Sequence, residues 1–123
     1  MKAILAICAL TLVVASVLIW RTVRLPTHYG EFTGAPKAEV ADLVQRPKDF
    51  LHKTVSIEGQ VRNQCTTMGC YFFFLSGKNM LRIELADIAM NAPRRNGHSA
   101  RVEGQIVPYG DGYQFLASAV EFE

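Results

Sequence analysis

Two cysteines and a methionine, Cys65, Met68 and Cys70, stand within six residues of one another and run directly into four consecutive aromatics, Tyr71 to Phe74. No other stretch concentrates so much potential chemistry. Sulfur donors at this spacing support three readings. A Cys65–Cys70 disulfide would staple the loop, contributing about 2 kcal/mol on the chain-entropy estimate for so small a ring. Two thiolates with Met68 between them would suit copper(I), whereas zinc would need two further ligands. Thiol–disulfide exchange is the least favoured, because the Cys-x-x-Cys spacing and its helix N-terminus are both missing. The disulfide is the preferred reading and a copper or zinc site the alternative. His28, His52 and His98 are the candidate completing ligands, yet nothing in the spacing brings any of them to the loop. His52 and His98 each precede a strand and read as surface residues.

The aromatic run offers a second kind of chemistry. Tyr71 and Phe73 have strong strand preference, and one facing outward could stack a planar ligand. Three of the four aromatics are expected in the core. Tyr109 and Asp111 lie in the turn cluster Pro108-Tyr109-Gly110-Asp111-Gly112 and join Tyr71 and Phe73 as candidate ligand-binding residues. A nucleophilic site requires a base within hydrogen-bond reach of its nucleophile. The sequence shows no Ser-His-Asp pattern, phosphate loop or paired-carboxylate motif, and the expectation is a non-enzyme.

These residues need elements to hold them. The 123-residue chain reads as one domain plus an appendage. Ala3 to Trp20 is uncharged and as a helix would rise roughly 27 Å, near the thickness of a bilayer core. With Lys2 before it and Arg21 and Arg24 after it, residues 1–24 read as an uncleaved transmembrane anchor. A signal peptide cut near Val13-Val14-Ala15 and a lipoprotein site at Cys8 fit less well. Residues 25–36, with Pro26, Gly30, Gly34 and Pro36, read as a linker. The expected location is the inner membrane, single-pass, with the C-terminal domain in the periplasm or outside the cell, where a disulfide persists.

Residues 37–123 form the expected domain. Ala38, Val40, Ala41, Leu43 and Val44 recur at helical spacing until Arg46-Pro47. Lys53–Arg62 then alternates as a half-buried strand, followed by Tyr71–Leu75, the alternating Leu81–Leu85, Ala100–Ile106 and Tyr113–Phe122, with a short helix over Asp87–Met90. Glu58-Gly59-Gln60-Val61 echoes Glu103-Gly104-Gln105-Ile106, and in each a glycine occupies a core-facing position. Glycine inside a strand marks a bulge or sharp bend, which a small barrel needs to close. The sum is a mainly β, five-stranded OB-fold barrel with short helices. From Leu25 onward, ten Lys/Arg stand against eleven Asp/Glu, a net charge of −1. That balance lacks the basic stripe through which nucleic-acid binders release counterions.

Asp42-Leu43, Pro47, Phe50, Lys53-Thr54-Val55 and Glu58-Gly59-Gln60-Val61 resemble the opening of small bacterial OB-fold domains of the tRNA-anti-like type. Among exported relatives of that type, a Cys-x-x-x-Gly-Cys-aromatic segment recurs after the first strand, matched here by Cys65 to Tyr71, and the likeness spans roughly residues 38–122. It implies an OB-fold, and OB-folds bind on the face of the second and third strands, between the loops joining strands one–two and four–five. An anchor followed by an OB barrel also resembles the haem chaperone of cytochrome c maturation, but the tail after Val107 has no histidine for haem. The expected function is a membrane-anchored binding module with a protein partner in a membrane complex. Soft-metal binding and single-stranded nucleic-acid binding are the alternatives.

Overall fold

A computed structural model of the chain describes residues 2–22, 27–65, 71–88, 93 and 95–123. It contains helices α1 (Lys2–Thr22) and α2 (Val40–Gln45), a 3-10 turn (Pro47–Phe50), and strands β1 (His28–Gly30), β2 (Val55–Gln60), β3 (Tyr71–Ser76), β4 (Asn79–Glu84), β5 (Ser99–Tyr109) and β6 (Gly112–Phe122). The strands make a six-stranded sheet in the order β2-β5-β6-β4-β3, with β1 paired to β6. All ladders are antiparallel except β4–β6, which is parallel.

Two expectations are corrected. The sheet is open and six-stranded, where a closed five-stranded barrel was expected. The additional strand, β1, comes from the segment read as a linker, and pairs His28 with Glu121 and Gly30 with Ala119. The sheet path ends at β2 and β3, which share no ladder: among the described residues the chain after β2 meets β3 through the Arg62–Phe73 bridge and the bond from the Cys65 amide to the Tyr71 carbonyl. The second correction is the transmembrane helix. Among the described residues no helix is long and apolar enough to cross a membrane. Side chains of α1 are described from Lys2 to Leu18, and the uncharged run Ala3–Leu18 rises about 24 Å, against a hydrocarbon core of about 30 Å. The single-pass inner-membrane location, with its domain in the periplasm or outside the cell, is corrected with it.

The core lies between the sheet and α2. Phe72 and Phe74 of β3, Leu81 and Ile83 of β4, Val102 and Ile106 of β5, and Phe115 and Val120 of β6 alternate inward, joined by Leu43 from α2. The two echoing glycines are both sites of close approach. A Cβ on Gly59 would lie 2.8 Å from the Phe74 ring, and one on Gly104 would overlap the Leu116 carbonyl oxygen. Gly104 also marks a bulge: Glu103 pairs with Ala119 and Gly104 with Ala117, leaving Ser118 as the extra residue of β6. The Ser118 hydroxyl donates to the Glu103 carbonyl at 3.1 Å.

Glu103 is 1% exposed. Its carboxylate accepts from the Thr33 amide (2.8 Å), the Thr33 hydroxyl (2.5 Å) and the Ala35 amide (3.2 Å). This latch fastens the strap between β1 and β2 onto the sheet. Burial by itself raises the Glu103 pKa, but the Thr33 hydroxyl and the amides of Thr33, Ala35 and Gly34 together outweigh it and hold the pKa below the ordinary value of 4.5. A carboxylate depressed in the folded state stabilises the fold above its unfolded pKa, and that stability is lost as pH falls through the folded value. Glu103→Gln is therefore expected to cost about 1–2 kcal/mol near neutral pH and to flatten the loss of stability below about pH 4.5, as read by urea unfolding across pH. An unchanged acid limb would show that the latch does not contribute to stability.

The glycines give a second expectation. Gly104→Ala meets backbone and should cost about 3 kcal/mol, whereas Gly59→Ala meets a ring that can shift and should cost about 1 kcal/mol. Denaturant midpoints of the two variants at a common m-value decide this, and equal costs would contradict it.

Candidate functional site

Strand pairing decides which side chains share a surface. On β3 and β4 the inward pairs are Phe72–Ile83 and Phe74–Leu81, and the outward pairs are Tyr71–Glu84, Phe73–Arg82 and Leu75–Met80. Phe72 and Phe74 are fully buried, whereas Tyr71 and Phe73 are half-buried. The aromatic run therefore divides two and two, where three core residues were expected, because the side-chain period of a strand is 2.

Arg82 organises the outward row. Its guanidinium carbon lies 3.8 Å from the centroid of the Tyr71 ring and 4.9 Å from that of Tyr109, a geometry in which the ring quadrupoles attract the cation. Nε donates to Gln114 Oε1 at 3.1 Å, and Nη2 donates to Glu84 Oε2 at 3.0 Å. The Arg82 and Glu84 side chains are 20% and 15% exposed, so this ion pair is better shielded from solvent than an ordinary surface pair. Phe73 meets Tyr71 edge-on at 5.9 Å. Leu75 and Met80 extend the surface to the β3–β4 hairpin and stand 49% and 52% exposed.

The rim is held from two sides. Cys65 donates its amide to the Tyr71 carbonyl at 2.9 Å, which ties one end of the cysteine loop to the start of β3. Gln64, buried beside it, accepts from the Arg95 amide at 2.7 Å, donates to the Pro93 carbonyl at 3.1 Å, and takes its own amide to Asn96 Oδ1 at 2.9 Å. Asn63 Nδ2 reaches Met80 Sδ at 3.9 Å, and the Arg62 guanidinium bonds Gln60 Oε1. On the opposite rim, Gly110 at φ 57° opens the two-residue turn that carries Asp111.

Of the residues singled out from sequence, Tyr71, Phe73 and Tyr109 are brought together, through Arg82. Asp111 is exposed at the turn. Cys65 is partly buried, while Met68 and Cys70 lie outside the described residues, as do therefore the Cys65–Cys70 disulfide and the copper or zinc site. Among the described residues no group of three or more His, Cys, Asp or Glu could hold a metal ion. His52 and His98 are exposed, with His98 Nδ1 2.9 Å from the Glu123 carbonyl oxygen. Arg82, Glu84, Gln114 and Gln64 were not anticipated. The alternation of Arg82 and Glu84 with Leu81 and Ile83 carried the signal for the first two, since it sets them on the outward face of a strand adjoining the aromatic run.

No protein-family model and no curated protein matches the chain in sequence. Solved structures do match in shape. The hypothetical protein ygiW from E. coli superposes with a TM-score of 0.54 at 8% identity, over 76% of this chain and 99% of that one. A chain described as a putative aspartyl-tRNA synthetase from Leishmania major Friedlin superposes with a TM-score of 0.52 at 13% identity, over 89% of this chain and 25% of that one. At such identities the likeness establishes fold alone. The fold is that of a small OB-fold domain.

The stacked guanidinium makes a measurable claim. In a double-mutant cycle on Tyr71→Ala and Arg82→Ala, the coupling energy from unfolding free energies should be about 0.5–1 kcal/mol. Additive effects of the two substitutions would show that the ring and the guanidinium do not interact in solution.

Proposed function

We propose that the chain is a non-catalytic OB-fold binding module, an accessory or docking domain that engages a protein partner through the outward face of β3 and β4. The observation that carries this reading is Arg82, stacked between Tyr71 and Tyr109 and fixed by Glu84 and Gln114. Aromatic residues, Arg and Met are the side chains enriched at protein interfaces, and Tyr and Arg supply most hot spots. Here they are already immobilised, so little rotamer entropy remains to be lost on binding. Exposed Leu75 and Met80 enlarge the apolar part of the surface.

A protein partner suits the charges better than nucleic acid. Glu84 neutralises Arg82, and the chain from Leu25 onward carries a net charge of −1, which disfavours a phosphate backbone. A Cys65–Cys70 disulfide at the rim belongs to the same reading. The bond from the Cys65 amide to the Tyr71 carbonyl supports it, by drawing the chain before the loop to the residue that follows Cys70.

Affinity capture from extracts of the source cells, with wild type and Arg82→Ala side by side, tests the proposal. A partner retained by wild type should lose roughly 30-fold or more in affinity for Arg82→Ala, the loss typical of a hot-spot residue, while circular dichroism shows the variant folded. Equal retention by both would refute the assignment of this face. Saturable, salt-sensitive binding of a dT oligonucleotide in fluorescence anisotropy would favour nucleic acid instead.

A further inference from the structure

The outer surface of the sheet carries a concavity of about 450 Å³, separate from the aromatic face. The register fixes its place: Glu84 pairs with Leu116 and Leu116 with Gln105, and Leu116 and Gln105 both line it. Tyr71, Phe73, Arg82 and Tyr109 do not.

Its walls are of two kinds. Ile88 and Leu116 supply apolar surface, Thr54, Gln105 and Asp87 supply acceptors, and Glu103 supplies a buried negative charge. Glu103 is almost wholly buried, and the groups that bond its carboxylate are all neutral: the Thr33 amide and hydroxyl and the Ala35 amide. Those donors satisfy its hydrogen-bonding capacity, and among the described residues no cation is paired with its charge. Asp87 adds a second negative charge, and the described residues that line the cavity include no Lys, Arg or His. A concavity lined by one sign of charge, with low-dielectric walls, concentrates the opposite sign. Gln105 donates its Nε2 to Thr54 Oγ1 at 3.0 Å, which orients its amide and offers Oε1 as an acceptor.

We infer that this cavity binds a small aliphatic diamine as its dication, with one ammonium toward Asp87 and Gln105 Oε1 and the methylenes against Ile88 and Leu116. The volume suits an organic cation of several carbons, whereas a bare metal ion would need more oxygen ligands than Asp87 and an already bonded Glu103 supply. At neutral pH such an amine is fully protonated, as a lysine side chain is.

The full-length, ¹⁵N-labelled chain can be titrated with cadaverine, with 1-pentanol and with sodium chloride at matched ionic strength as controls. Cadaverine alone should give saturable shifts of the Thr33, Thr54, Gly104 and Ala117 amides. Asp87→Asn, at an exposed position, should weaken binding about threefold, as expected for a partly solvated ion pair, while the spectrum stays that of the folded protein. Equal shifts with pentanol or with salt, an absence of saturation, or wild-type affinity in Asp87→Asn would each overturn the inference. Arg82→Ala should bind cadaverine as wild type does, which keeps this result separate from the fate of the β3–β4 face.

Discussion

The backbone of Gly104 packs against Leu116 and Ala117 so closely that no side chain fits between them, and the geometry of the whole sheet follows from that contact. β5 and β6 are the longest strands, and β6 also pairs with β4 and with β1. The bulge at Ser118 bends this central pair, since an extra residue on one strand locally increases twist. Beside it, Glu103 lies under the strap instead of in solvent. A carboxylate buried there would be costly without partners. The amides of the strap supply them, and a segment with no periodicity of its own becomes part of the fold.

The aromatic surface rests on a different constraint, the two-residue period of β3. The same strand supplies Phe72 and Phe74 to the interior and Tyr71 and Phe73 to the outside, so core packing and site geometry are mechanically one object. Phe72 and Phe74 touch each other, and Phe72 touches Phe122, at ring distances of 5.2 and 6.0 Å. That packing fixes the strand, and the strand fixes Tyr71 beneath Arg82. Because Arg82 is held by Glu84 from its own strand and by Gln114 from β6, the site spans the parallel junction of the sheet, where β4 and β6 pair over only two positions.

Most of the strands are legible in the sequence. The segments Lys53–Arg62, Tyr71–Leu75, Leu81–Leu85, Ala100–Ile106 and Tyr113–Phe122 overlap β2 to β6, because alternation of apolar and polar residues is a local property. Both echoing glycines are close approaches, since a core-facing strand position that lacks a side chain lets a neighbouring ring or backbone move in. β1 is not legible. Three residues with no alternation acquire strand character only because β6 presents a free edge to them. Arg82 is hidden for a related reason: its outward orientation can be read, but Tyr109 and Gln114 reach it from distant parts of the chain.

By itself, then, the sequence determined the succession of strands, the two glycines at close approaches, the near-neutral charge of the domain and the aromatic run of β3. Each of these depends on residues a few positions apart. Only the tertiary structure decided that the sheet is open and six-stranded, that Glu103 is buried beneath amides some seventy residues earlier, and that one arginine joins side chains from several strands into a surface. Those outcomes depend on register between distant segments, and register is set when the whole core packs, not by any window of the chain.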